Sequence, residues 1–135
     1  MISKNTDSFT ITIKNTQTDG GNKDVINITA PCSYRLSGGN AYIVYKEENV
    51  SCMIKAGKDT VHVKRSGDFG SDISYKANTV SDVIYKTPYG NMQMRVFTSL
   101  VSFEFNENGG FVHMEYVLEA GEGKLYNNME ININR

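Results

Sequence analysis

Two histidines are the first candidates for chemistry, because imidazole is the side chain that titrates near neutral pH. His62 and His113 both fall on the polar positions of alternating runs, which is typical of surface histidines rather than of catalytic bases. The chain contains no Gly-x-Ser-x-Gly elbow, no His-Glu-x-x-His motif and no glycine-rich phosphate loop. The sequence therefore predicts no catalytic residue and no enzyme.

The two cysteines, Cys32 and Cys52, have no cysteine or histidine nearby at metal-ligand spacing. The first residues, 1–7, lack the apolar core of a secretory signal, so two reduced thiols in packing positions are expected rather than a disulfide. No apolar run approaches the roughly 20 residues that a membrane-spanning helix needs. We expect a cytoplasmic protein that binds no metal, uses no cofactor and has no membrane partner.

Arg65 is the strongest functional candidate. It follows Val61 and Val63 with a period of two, which points its side chain inward with theirs. An unpaired buried charge is very costly, so the guanidinium needs a partner. Glu47 and a bound anion are the two partners that the sequence offers, and it does not choose between a structural ion pair and a ligand contact.

The elements that must position these groups are short runs in which apolar and polar residues alternate, beginning with Phe9, Ile11 and Ile13. Turns rich in glycine, asparagine and aspartate separate the runs at hairpin spacing. No window shows apolar residues at helical spacing between helix caps. The sequence predicts an all-β fold, a closed or nearly closed antiparallel up-and-down β-barrel of about 8–10 strands, with a β-sandwich as the alternative.

Two irregularities are expected within this pattern. Pro31 lies inside the second run and cannot donate a ladder hydrogen bond, so the strand is bent, bulged or at an edge there. The apolar residues Met94 and Val96 stand at even positions, whereas Val101 and Phe103 stand at odd positions. This change predicts a β-bulge or a break in the strand near residues 97–100.

Three segments carry a resemblance to a known family. They read Tyr-Ile-Val-Tyr-Lys-Glu-Glu at 42–48, Val-Lys-Arg-Ser-Gly at 63–67 and Tyr-Lys-Thr-Pro-Tyr-Gly at 85–90, followed by Met94 and Thr98. The chain resembles the uncharacterised bacterial YwiB-like family of small calycin-type β-barrel proteins over nearly its whole length. Thr-Pro-Tyr-Gly at 87–90 is the most specific segment. The resemblance implies a lipocalin-like barrel from a bacterium, cytoplasmic and without an established activity.

Length and charge limit the remaining possibilities. The 135 residues predict a single domain over 1–135, with a flexible N-terminal tail at 1–7. A formal net charge of −1, with basic residues scattered among acidic ones, predicts no nucleic-acid partner. Strand edges of an incompletely closed barrel would allow a homodimer.

The barrel architecture itself suggests a function. A barrel of about eight strands holds either a side-chain core or one small ligand. Methionine and tyrosine at inward positions suit a small apolar or amphipathic ligand inside the barrel. The predicted ligand-binding residues are Arg65, Tyr45, Glu47, Tyr75, Tyr89, Met94, Met114 and Tyr116. The alternative is a structural or regulatory protein-interaction module whose barrel is filled by side chains.

Overall fold

A computed structural model describes residues 9–135 as ten antiparallel strands; the tail predicted at 1–7 lies outside the described residues. The strands are β1 (Phe9–Asp19), β2 (Asn22–Ser37), β3 (Asn40–Glu47), β4 (Val50–Gly57), β5 (Thr60–Gly67), β6 (Ser71–Lys76), β7 (Thr79–Thr87), β8 (Gly90–Asn106), β9 (Gly109–Ala120) and β10 (Gly123–Asn134). Tight turns join consecutive strands, as the spacing of turn residues predicted.

The sheet closes through its first and last strands. Consecutive strands pair from β1 to β6 and from β7 to β10, and β10 pairs with β1. The remaining seam lies between β6 and β7. Gly70 and Lys86 bridge it with two backbone hydrogen bonds of 3.0 and 2.8 Å. The predicted nearly closed antiparallel barrel of 8–10 strands is confirmed, with its seam in the middle of the chain.

Side chains that point inward fill the barrel. In β1, β3 and β4 the alternation is regular, since buried residues occupy every second position. The largest fully buried side chains are Ile11, Ile43, Ile54, Met114, Ile131 and Ile133. These branched and flexible side chains come from five strands and pack into one apolar cluster.

Pro31 marks a change of partner in β2. Residues 22–32 of this strand pair with β1, whereas Ser33 to Ser37 pair with β3. Of the bend, bulge or edge predicted at Pro31, the structure has the edge, because β1 is the only described strand that pairs with residues 22–32. We call this segment the β2 edge.

Of the bulge or break predicted near residues 97–100, the structure has the bulge. The register of β8 against β9 shifts between Thr98 and Leu100. The extra residue brings Val96 before the bulge and Phe103 after it onto the same inner side of the barrel. A single long strand can thereby follow the barrel around a corner.

Candidate functional site

Three neighbouring strands assemble a polar cluster at one end of the barrel. Tyr45 on β3 lies opposite Cys52 on β4, which in turn lies opposite Arg65 on β5. Directly opposite residues of an antiparallel sheet share a face, so these three side chains form a row on the inner side. Glu47 follows Tyr45 by two residues and extends the same face to the end of β3.

Glu47 is the acceptor at the centre of this cluster. Arg65 Nη2 lies 3.1 Å from Glu47 Oε1, and the Tyr45 hydroxyl donates to Glu47 Oε2 at 2.9 Å. The Cys52 thiol lies 3.7 Å from the same Oε2 atom. Arg65 therefore pairs with Glu47, which is one of the two partners that the sequence left open. The guanidinium Nε is nevertheless buried without a hydrogen-bond partner.

A tyrosine pair lies deeper in the barrel. The rings of Tyr75 and Tyr116 have centroids 4.7 Å apart at an interplanar angle of 49°. Burial raises the pKa of Tyr116 to about 12 and also raises the pKa of Tyr75. Both phenols are therefore neutral donors at physiological pH.

Increasing the pH above 9 is expected to destabilise the fold. Burial raises the pKa of Cys32 to about 11 and that of Tyr116 to about 12. In the unfolded chain these groups titrate near about 8.5 and about 10. The folded chain then binds more protons, so its stability falls with pH. The stabilisation is complete below about pH 8.5 and is lost as the pH rises through about 12. Urea unfolding across this range measures the slope.

A Cys32→Ala, Tyr116→Phe double variant is the control for this titration. It lacks both groups, so its free energy of unfolding should decline less steeply over the same pH range. An identical decline in both proteins would show that other groups with raised pKa values, such as Tyr75, cause the alkaline loss.

The other predicted ligand-binding residues do not join the Arg65 cluster. Met114 is fully buried in the apolar core, and Met94 is half-buried on β8 opposite Val83. Tyr89, in the Thr87–Gly90 turn, is 97% exposed and covers no end of the barrel. The structure therefore brings together Tyr45, Glu47 and Arg65, and separately Tyr75 and Tyr116.

Open clefts surround these groups. Four clefts lined by described residues measure about 200 to 610 Å³, and each opens to solvent. The one beside the cluster, about 420 Å³, is lined by Glu47, Glu48, Asn49, Val50, Arg65, Asp68, Phe69 and Tyr85. We call it the Arg65 cleft. Its aromatic wall is formed by Phe69 and Tyr85, whose ring centroids are 6.3 Å apart.

A buried amide network was not predicted from the sequence. Asn15 Nδ2 and Gln17 Nε2 donate to Asn127 Oδ1 at 3.1 and 3.0 Å, and Asn127 Nδ2 donates to the Leu125 carbonyl at 3.0 Å. Asn15 Oδ1 is buried without a partner. The sequence does contain one signal for the burial of Asn15, because this residue continues the series of inward positions Phe9, Ile11 and Ile13.

The outer surface of residues 33–37 in β2 and of strands β3 to β6 carries a second group of functional candidates. Its cations are Arg35, Lys46, Lys55, Lys64 and Lys76, each exposed on the outward parity of its strand. The carboxylate on that parity is Asp72, which pairs with His62. Cross-strand register places Arg35 opposite Tyr42 and Tyr42 opposite Lys55, and it places Val44 opposite Met53. We call this surface the basic face.

Comparison with known proteins identifies the family. A family described as a domain of unknown function, DUF1934, matches residues 11–133. The chain belongs to this family. It is 23% identical over 118 residues to the uncharacterized beta-barrel protein YwiB of Bacillus subtilis (strain 168), covering 84% of this chain and 83% of that protein. The DUF1934 membership confirms the resemblance to YwiB-like proteins that the sequence segments indicated.

A solved structure has the same fold as this chain. The crystal structure of the ywiB protein from Bacillus subtilis superposes with a TM-score of 0.85 at 22% identity, covering 93% of this chain and 89% of that one. At this identity the similarity establishes the barrel architecture. Among residues 9–135 no helix is long and apolar enough to cross a membrane.

Proposed function

We propose that this DUF1934 protein is a non-catalytic binding module that docks an acidic protein segment on the basic face. The observation that carries the proposal is the separation of charge. Five cations and one carboxylate lie on the outer side of residues 33–37 and of β3 to β6, in a chain whose formal net charge is −1. A surface with such a charge excess attracts partners of opposite charge and accelerates their association.

The centre of the basic face has the composition of a protein interface. Val44 and Met53 lie opposite each other on β3 and β4 and are 41% and 43% exposed. Arg35 and Tyr42 lie in the adjacent cross-strand row. Methionine, tyrosine and arginine are enriched where proteins bind each other, and an apolar centre within a charged rim is the common arrangement.

The same geometry favours a protein partner over single-stranded nucleic acid. Proteins that bind single strands stack bases on exposed aromatic rings. Tyr42 is the aromatic residue of this surface, and Arg35 and Lys55 already approach its ring, at 5.4 and 5.9 Å from the centroid. The ring is thus occupied by cations, whereas Val44 and Met53 offer apolar contacts that phosphates do not use.

A small ligand is the second candidate, carried by the Arg65 cleft. The axis of the barrel is occupied by side chains such as Ile43, Ile54 and Met114, so the cleft replaces the interior as the place for a ligand. Its walls present Glu47, Glu48 and Asp68 against one guanidinium, beside an aromatic pair. This charge balance selects an organic cation, which can also contact aromatic ring faces, rather than an anion.

Titration with a synthetic peptide of alternating glutamate and leucine tests the proposal. We expect the amide signals of β2 to β5 to shift in two-dimensional NMR spectra, and the affinity to weaken with added salt. Lys55→Glu combined with Lys64→Glu should lower the affinity about tenfold or more, because like charges then face each other.

The matched control is Lys14→Glu combined with Lys124→Glu, which changes the net charge equally on β1 and β10. It should retain peptide binding. Equal loss in both double variants would show a response to net charge alone and would overturn the proposal. Tighter binding of an oligothymidylate than of the peptide would overturn it in favour of nucleic acid.

A further inference from the structure

We propose that the β2 edge is a homodimer interface in which two copies of β2 pair antiparallel about a twofold axis at Asn27. The β2 edge spans residues 22–32 and pairs with β1 on one side, while no described strand pairs with its other side. Its residues are mostly exposed, and Val25 and Ile26 are 49% and 41% exposed. An edge of this kind offers a row of backbone donors and acceptors to another strand.

A second copy of the chain fits this edge because antiparallel pairing is self-complementary. In a twofold dimer each residue lies opposite a fixed partner, and the same surface serves both subunits. The midpoint of residues 22–32 is Asn27, so an axis at Asn27 uses the whole edge. The ladder then ends where β3 takes over at Ser33, which avoids any competition with the β2–β3 pairing.

This register also matches side chains across the axis. Ile26 lies opposite Ile28 of the partner subunit on the inner side, and Val25 lies opposite Thr29 of the partner subunit on the outer side. The charged residue Asp24 meets Ala30 of the partner subunit. A register shifted by one residue in each copy, centred on Ile26, would place the Asp24 carboxylate against Ile28 of the partner subunit. Cross-strand apolar pairs stabilise a sheet, whereas a carboxylate opposite isoleucine does not.

The ends of the β2 edge carry features that confine the pairing. The uncharged segment 25–30 is bounded by Lys23 and Asp24 at one end and by Pro31 at the other. Lys23 and Pro31 would lie opposite each other across the dimer. Proline lacks a backbone donor and is tolerated at the end of a ladder but not in its middle. Between these ends, the β-branched residues at 25, 26, 28 and 29 favour an extended strand.

Cysteine cross-linking tests both the dimer and its register. With Asn27→Cys, we expect mild oxidation to give a species of twice the 15.1 kDa chain mass on non-reducing gels. Val25→Cys alone should not cross-link, since its copy lies about 13 Å away along the strand. A mixture of Val25→Cys and Thr29→Cys chains should cross-link. The unsubstituted protein, whose Cys32 and Cys52 are buried, is the background control.

Charge variants test the interface without oxidation, by sedimentation equilibrium. Val25→Lys with Thr29→Lys opposes lysine to lysine on both sides of the axis and should yield monomers. Val25→Lys with Thr29→Glu opposes lysine to glutamate and should restore the dimer. A monomeric unsubstituted protein, a dimer that tolerates both lysines, or a dimer without the Asn27→Cys cross-link would each overturn the proposal. Positions 25, 27 and 29 lie on the outer side of β2 but outside the basic face, so the Lys55 and Lys64 variants test peptide binding separately.

Discussion

Gly67→Ala is expected to destabilise the protein far more than Gly90→Ala, although both glycines have the same φ of 127°. A Cβ atom at Gly67 would lie 2.1 Å from the Asn49 carbonyl oxygen, whereas a Cβ at Gly90 has no atom within 4 Å. The unfavourable backbone conformation costs about 1–3 kcal/mol at either position. The clash adds about 1–3 kcal/mol at Gly67 alone, because the backbone around Asn49 must move.

Comparing these two variants is informative because the two glycines have the same φ. Gly67 ends β5 opposite Val50, and the Asn49 carbonyl also accepts a hydrogen bond from Asp68 N at 3.3 Å. Displacing that carbonyl therefore disturbs the β3–β4 turn and the end of β5 together. Urea unfolding of both variants gives the two free energies. Equal losses would show that the contact between Gly67 and Asn49 does not contribute.

Glu47→Ala is expected to lower the free energy of unfolding by about 2–4 kcal/mol, the range for removing one partner of a largely buried ion pair. The carboxylate accepts from Arg65 and Tyr45, so its removal leaves both donors without their acceptor. The Arg65 and Glu47 side chains are 30% and 27% exposed, which places the effect below that of a fully dry pair. Thermal and urea unfolding at neutral pH measure it.

Two further variants separate charge from packing at this position. Arg65→Met should cost less than Glu47→Ala, since Glu47 keeps the Tyr45 hydroxyl and access to water. Combining Glu47→Met with Arg65→Met removes both charges and should recover part of the loss. If Glu47→Ala leaves stability unchanged, the carboxylate is dispensable to the fold, and a ligand cation in the Arg65 cleft becomes the better explanation of its position.

Much of the fold follows from patterns within single strands. The alternation of Phe9, Ile11 and Ile13 predicts a half-buried strand because side chains of a strand point to opposite faces in turn. The change of parity between Val96 and Val101 predicts the bulge for the same reason, since only an inserted residue keeps both on the inner side. Pro31 predicts a bend, a bulge or an edge, because it has no N–H to donate.

The candidate site is harder to predict from the sequence, because the register between strands determines which side chains meet. Parity pointed Arg65 inward, but only the alignment of β3, β4 and β5 places Cys52 between Tyr45 and Arg65. The Asn15–Asn127 hydrogen bond joins residues 112 positions apart, a separation that no local pattern encodes. The exposure of Tyr89 could not be predicted either, because a turn residue can fold over a barrel end or extend into solvent.

The pairing of β1 with β10 determines when the barrel can close during synthesis on a ribosome. Thr10 lies opposite Asn134, so the second edge of β1 has no strand to pair with until the tenth strand has been translated. Until then the chain is an open sheet with β1 and β9 at exposed margins, a form prone to association with other nascent chains. Closure thus awaits β10, and the long sequence separation of this pairing implies slow folding.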